Sequence, residues 1–384
     1  MQYRPFGKTG WQVSALGFGV MRLPVIGDNK AQIDEARATY MLHEAIDHGV
    51  NYVDTAYPYH EGQSEPFVGR ALQGGYRERV HLATKMPCWL LEKSEDLDRL
   101  FEEQLERLQT DHIDCYLFHG LNESRWKLLL ELDALTWAEK RKASGQIRHL
   151  GFSFHDRADV FVQIVDQYDH WDFTQIQYNY IDQEDEVRQA GSRGLRHAAA
   201  QGLAVVVMEP IRGGVLAAPP PPVVELWETA STKRTPADWA LQWVWDHPEV
   251  AVVLSGMSTE EQVAQNIASA EASKPGLLTR EEHELVERVR AKYAELGPIP
   301  CTACQYCQPC PSGVRIPWIF DEYNAAYAFG QMERSRRHYR DLDGGAKADQ
   351  CTECGQCESV CPQQIPIIDW LKKAHEVLGV AEGT

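Results

Sequence analysis

The chain has 384 residues, 43% hydrophobic and 24% charged, an ordinary globular mixture that excludes a mainly disordered, collagenous or coiled-coil protein. Lys and Arg number 38 against 56 Asp and Glu, a net charge of −18, so a phosphate-gripping nucleic-acid surface is not expected. Apolar runs are strand-sized, as at Ala204–Met208, well short of the roughly 20 residues of a membrane helix. The stretch Met1–Gly10 is polar and carries no apolar signal segment, so a cytoplasmic location is expected. In a reducing compartment the 10 cysteines read as thiolate ligands before disulfides.

In chain order, Tyr3–Val13 sets Gly7 and Gly10 around a polar turn and predicts a hairpin closing one end of the fold. Short β-rich runs follow at Ala15–Gly19, Asn51–Asp54, Val80–Lys85, Ile113–His119, His149–Ser153, Phe173–Tyr178, Ala204–Met208 and Ala251–Gly256. Between them, Ile33–His48, Asp96–Leu108, Arg125–Ala143 and Pro236–His247 have helical periodicity, Pro236 suiting a first helical turn. Pro219–Pro222 reads as a rigid loop after the seventh strand. Each strand is apolar on both parities, as burial on both faces requires. Strand count and length predict an α/β fold, a closed (β/α)8 (TIM) barrel over residues 1–295, in preference to a doubly wound sheet. Gly17-Phe18-Gly19 runs into Met21-Arg22-Leu23-Pro24, which breaks a helix, so a Rossmann dinucleotide fingerprint is disfavoured. Gly297, Pro298 and Pro300 then mark a boundary near 296, and 296–384 forms a second domain. Cys88 and Cys115 are isolated; the other eight lie there as Cys301, Cys304, Cys307, Cys310 and Cys351, Cys354, Cys357, Cys361, each run followed by Pro. Ile316–Tyr339 between the runs predicts one or two helices.

In a barrel enzyme the active site lies at the C-terminal strand ends. Asp54 ends the second strand, Tyr59 follows in the next loop, Lys85 ends the third strand and His119 the fourth. Reducing a carbonyl needs hydride on carbon and a proton on oxygen. A phenol is a weak acid–base group at neutral pH, and a neighbouring ammonium favours its phenolate. Lys85 is placed to do this for Tyr59, Asp54 to keep Lys85 charged, and His119 to orient the carbonyl. Singly, each has an ordinary alternative: a helix cap, a rim aromatic, a solvated strand end, a core histidine. Tyr57 competes with Tyr59 as the acid, and His60 and His155 are further rim residues. The segments VDTAYPYH, LATKMP and YLFHG, with GQSEPFVGRAL (Gly62–Leu72) and the opening RPFGKTGWQVSALGFG, occur in an order that resembles the aldo-keto reductases over residues 1–295. That resemblance implies Asp54, Tyr59, Lys85 and His119 as the catalytic set and a nicotinamide across the barrel mouth.

By the same resemblance Ser153 and Gln175 hold the carboxamide, with Gln177 close enough to compete for the second role; Phe154 stands where an Asn is usual. Met208 replaces a stacking Tyr, Met21 lines the mouth, and Gly213 and Gly214 let the backbone approach the pyrophosphate. Ser255, Gly256, Ser258, Gln262 and Asn266 line the adenosine end, Asn266 against adenine. Gly256 and Gln262 occupy positions where the family grips the 2′-phosphate of NADPH with Lys and Arg, and Glu260 and Glu261 repel it. NADH is therefore expected over NADPH, with a flavin as the minority alternative. Tyr57, Trp89, Phe118, His155 and Met21 are candidate substrate-lining residues.

The second cysteine run, CTECGQCESVCP, matches the bacterial ferredoxin pattern, in which the fourth cysteine serves the other cluster; CTACQYCQPCP has a gap one residue shorter. That resemblance implies two 4Fe-4S clusters in an α-helical ferredoxin-like domain, Cys301, Cys304 and Cys307 with Cys361, and Cys351, Cys354 and Cys357 with Cys310. Structural zinc is the alternative. The whole resembles the iron–sulfur branch of the aldo-keto reductases: an enzyme taking a small carbonyl or alcohol, with an external electron carrier as partner for the clusters. The rival reading is an iron–sulfur electron-transfer protein whose barrel is a docking scaffold or binds a flavin, because nicotinamides move hydride and clusters single electrons.

Overall fold

A computed structural model describes residues 1–27, 29–301 and 304–380. Its contacts divide the chain into two compact units, Met1–Leu216 with Ala237–Thr279, and Ala217–Pro236 with Arg280–Thr384.

In the first unit β1 (Tyr3–Pro5) and β2 (Gln12–Ser14) pair antiparallel, Arg4 opposite Val13. Eight parallel strands follow: β3 (Leu16–Gly19), β4 (Tyr52–Asp54), β5 (His81–Met86), β6 (Ile113–Leu121), β7 (Ile147–Phe154), β8 (Phe173–Gln177), β9 (Ala204–Met208) and β10 (Val250–Ser255). They close in the order β10-β3-β4-β5-β6-β7-β8-β9, a (β/α)8 barrel. All eight match the predicted runs to within a few residues. Strands such as β3 and β10 are buried along their whole length, core inside and helices outside, which explains the continuous apolar runs.

The hairpin seals the N-terminal end of the barrel. Phe6 is fully buried, its ring 6.0 Å from Tyr52 and 5.3 Å from Phe173, in one cluster with Cys115, Leu117, Val206 and Val252. Gly7 turns the chain at φ +54, where an added Cβ would meet the Ala204 nitrogen at 2.5 Å, so the turn requires glycine.

Two expectations are corrected. Arg125–Ala143 is two helices, Glu123–Glu131 and Ala134–Ala143, because Asp133 takes a left-handed φ of +53 and redirects the chain. Pro219–Pro222 is not simply a loop: Pro221 and Pro222 open the helix Pro221–Glu228, where the missing N–H groups would have had no helical partner.

The second unit is helical. Besides Pro221–Glu228 it contains Arg280–Leu296, Ile316–Ala328, Met332–Asp341, Gln356–Ser359 and Ile367–Leu378. Ile299, Val314, Ile319, Phe320, Tyr323, Ile365, Leu371 and Leu378 form its core, with Cys301, Cys307, Cys310, Cys351, Cys357 and Cys361 packed against it. Ile316–Tyr339 is thus two helices. Among the described residues no helix is long and apolar enough to cross a membrane.

Candidate active site

Asp54 ends β4, and β4 pairs with β5 so that Asp54 lies opposite Ala83, two residues before Lys85. The register brings a carboxylate and an ammonium together inside the barrel mouth. Lys85 is 0% and Asp54 3% exposed. Lys85 Nζ donates to Asp54 Oδ1 and Oδ2, both at 2.8 Å, to the Thr55 carbonyl at 2.7 Å and to Tyr59 Oη at 3.4 Å. The His119 ring stands nearly perpendicular to Tyr59, centroids 6.3 Å apart. The three strand-end residues and Tyr59 from the following loop therefore converge.

Tyr57 does not compete for the lysine. Its ring lies 4.1 Å from the Arg107 guanidinium, and its hydroxyl donates to Glu103. His60 is spent on the loop: it accepts from the Leu23 N–H and meets the Lys30 carbonyl at 2.8 Å. Phe118 is fully buried beside Trp171, whereas Trp89 (42% exposed) stands 5.1 Å from the His119 ring; Met21 is 54% exposed.

Burial sets the electrostatics. It lifts the Asp54 carboxyl above the usual aspartate range even with Lys85 beside it. Burial works to lower Lys85, but Asp54 and Tyr59 outweigh it, and the ammonium is held more firmly than usual. The phenol of Tyr59 is raised: burial exceeds the pull of Lys85. The sequence had led to a lowered phenol, and the difference is the desolvation of a site closed on the inner side. A raised phenol stays protonated and ready to donate. His119 is driven well below the ordinary imidazole range by burial and then by Lys85, so it is neutral at physiological pH.

A brace absent from the sequence reading supports this pair. Glu65, 0% exposed, accepts from Thr84 Oγ1 and Gln104 Nε2, each at 2.6 Å, and faces Arg107 at 3.4 Å. Gln104 also donates to the Lys85 carbonyl at 3.0 Å, and Thr55 and Ser64 hydroxyls meet at 2.9 Å. Glu65 sits inside the GQSEPFVGRAL motif, where a carboxylate amid buried positions was the available signal.

The residues expected to meet a nicotinamide carry free valences. Ser153 on β7 lies in register with Gln175 on β8. Ser153 Oγ accepts from the Gly120 N–H at 2.7 Å, leaving its own hydrogen to donate. Gln175 Nε2 donates to Met208 Sδ at 3.6 Å, while Gln175 Oε1 is buried with no partner among the described residues. A free donor beside a free acceptor is what a carboxamide requires. At the other end, Asn266 donates to Ser255 Oγ at 2.9 Å, and Gln262 accepts from the Ser258 N–H at 2.7 Å. Gly213 and Gly214 take φ of +67 and +102. Arg37 pairs with Glu260 at 2.7 Å, which offsets part of the expected repulsion by the carboxylates. The Arg22 stem lies 3.2 Å from where a Cβ on Gly256 would stand.

In the second unit, one cavity is lined by Cys301, Cys304, Cys307 and Cys361 with Ile316, Phe320 and Ile365 behind them. Another is lined by Cys310, Cys351, Cys354 and Cys357, with Cys307 shared. Among the described residues no three ligating side chains close to single-ion distance; the cysteines surround cavities.

Residues 15–290 match the model of the aldo/keto reductase family, and residues 300–366 that of a 4Fe-4S dicluster domain. An L-galactose dehydrogenase of Arabidopsis thaliana is 26% identical over 70% of this chain and 88% of that protein. An NADH-specific methylglyoxal reductase of Escherichia coli is 25% identical over 75% of this chain and 100% of its own. Among solved structures, the holo form of a Bacillus halodurans aldo-keto reductase is 28% identical with a TM-score of 0.63, covering 75% of this chain and 96% of that one. A Klebsiella pneumoniae aldo-keto reductase in complex with NADPH gives 26% and 0.61, over 76% and 96%. With its closed barrel, its convergent quartet of Asp54, Tyr59, Lys85 and His119 and a 4Fe-4S dicluster domain following in the sequence, the chain belongs to the aldo/keto reductase family of oxidoreductases.

Proposed function

We propose that the barrel reduces a small carbonyl compound, or oxidises the matching alcohol, with NAD(H) or NADP(H), using Tyr59 as general acid and base. The observation that carries this is Lys85 Nζ at 3.4 Å from Tyr59 Oη with Asp54 at 2.8 Å behind it, at adjacent strand ends. Ser153 and Gln175 would hold the carboxamide with Met208 next to Gln175, and Gly213 and Gly214 would admit the pyrophosphate. A bound reduced nicotinamide supplies the hydride. Neutral His119 donates an N–H to the carbonyl oxygen and orients it. Tyr59 gives its proton to that oxygen, and Lys85 stabilises the phenolate left behind; in oxidation the phenolate takes the alcohol proton.

NADH is preferred over NADPH, because Gly256 and Gln262 offer no charge and Arg37 is committed to Glu260. Equal kcat/KM for both cofactors overturns that preference. Cys301, Cys304, Cys307 and Cys361 around one cavity, and Cys310, Cys351, Cys354 and Cys357 around the other, would hold two 4Fe-4S clusters, which would supply one-electron exchange with an external carrier. Domain limits of 1–295 and 296–384 and a cytoplasmic location belong to the same reading; the family matches end at 290 and begin at 300, while the contacts assign Ala217–Pro236 and Arg280–Leu296 to the helical unit.

Tyr59→Phe tests the function. Turnover is lost while cofactor affinity and iron content stay as in wild type. Undiminished turnover refutes Tyr59 as the acid, and electron transfer without any carbonyl reduction by wild type favours the electron-transfer reading.

A further inference from the structure

We infer that the substrate carries an anionic group, a carboxylate or a phosphate, and that Arg125 receives it. This rests on the reading of the barrel as a carbonyl reductase and names the class of carbonyl compound.

Arg125 lies in the first turn of the helix Glu123–Glu131, whose start is held by Asn122 accepting from the Arg125 backbone N–H at 2.8 Å. Its side chain folds back over the end of β6, and Nη1 donates to the Gly120 carbonyl at 2.6 Å. Gly120 directly follows His119. A Cβ there would stand 2.7 Å from Arg125 Nη1 and 3.7 Å from the His155 ring, and φ is +63, so the guanidinium lies where only glycine makes room. The Trp89 ring is 5.7 Å from the Arg125 guanidinium and 5.1 Å from the His119 ring. One exposed indole thus spans from the carbonyl-orienting histidine to the arginine.

Two observations mark Arg125 as a receiver of ligand. Its anchor is a backbone carbonyl, which uses one of five guanidinium donors and neutralises none of the charge. Among the described residues no carboxylate pairs with it, in a chain with a net charge of −18. Other cations of the barrel unit are committed: Lys85 to Asp54, Arg107 to Glu103 and Glu65, Arg37 to Glu260, Arg22 to Glu209 at 3.9 Å. A planar cation held open-ended beside the reacting carbonyl matches an oxyanion group a few bonds from the carbon reduced, with the skeleton between them on the Trp89 face.

The test is kcat/KM for two pairs that differ in charge, succinic semialdehyde against butanal and glyceraldehyde 3-phosphate against glyceraldehyde, with wild type and Arg125→Met. Wild type favours the charged member of at least one pair, and which pair tells carboxylate from phosphate. Arg125→Met loses about 10- to 100-fold on that member and changes little on its neutral partner. Arg125→Lys recovers part of the loss. Succinate, charged but without a reducible carbonyl, inhibits wild type competitively and the Met variant weakly. Turnover without charge preference, or equal losses on both members of a pair, overturns the assignment of Arg125 and leaves the reductase standing. No turnover of any of the four by wild type, with Tyr59→Phe indistinguishable from it, overturns the reductase reading and this one with it.

Discussion

Replacing Lys85 with Met removes the buried ammonium and keeps most of its volume. At 3.4 Å and an effective dielectric of 20, attraction between the ammonium and a developing phenolate on Tyr59 is about 5 kcal/mol. Screening by the bound ligands reduces this, so a loss of about 10²- to 10³-fold in kcat is expected. The loss has a pH signature. Oxidation needs the phenolate, so its rate climbs as pH rises through the phenol's raised pKa; without Lys85 that climb moves to still higher pH. Reduction needs the protonated phenol and holds up to the same limit. The substitution also strands Asp54 at 3% exposure, a destabilisation of about 3–5 kcal/mol for a broken buried pair. Asp54→Asn combined with Lys85→Met removes the stranded charge and recovers much of the melting temperature without recovering turnover. The assay is steady-state nicotinamide absorbance from pH 6 to 11 for both directions, alongside thermal melting. A Lys85→Met enzyme within threefold of wild type, with its oxidation profile unmoved, refutes the coupling of Lys85 to Tyr59.

Because His119 is neutral far below the usual imidazole range, reduction is expected to be flat between pH 6 and 8; an acid limb that His119→Gln abolishes contradicts this. Gln175→Met removes the unpartnered acceptor and weakens nicotinamide binding about 10-fold by fluorescence titration, while kcat at saturation changes less. Cys361→Ser and Cys310→Ser are each expected to halve iron, from about eight to about four per chain, and to leave different electron paramagnetic resonance signals; identical spectra from the two variants break the proposed grouping.

The barrel was legible because parallel strands buried on both faces leave apolar runs such as Val250–Ser255 that nothing in a loop mimics. Asp54, Lys85 and His119 stood out because charged or polar residues end such runs. What sequence does not carry is the balance of opposed terms. The upward displacement of Tyr59 depends on how completely the mouth is desolvated, and the break after Glu131 depends on one aspartate adopting a left-handed conformation. Tyr57 and Tyr59 are two residues apart and chemically alike; only Arg107 and Glu103, over 40 residues away, separate them. Arg125 showed no pattern at all, since being unpaired is a property of its surroundings.

The helical unit is assembled from two separated stretches, Ala217–Pro236 and everything from Arg280 onward, tied by Arg234 to Glu282 at 2.6 Å. During synthesis the first stretch leaves the ribosome with its packing partners still unmade, and must wait until the polypeptide has passed the final barrel strand. Under the proposed grouping, which draws each cluster's ligands from both cysteine runs, insertion of iron and sulfide would wait until after the barrel strands are made. A fragment beginning near residue 296 would lack two helices of its own unit, so expressing the tail alone should yield an insoluble or metal-poor product.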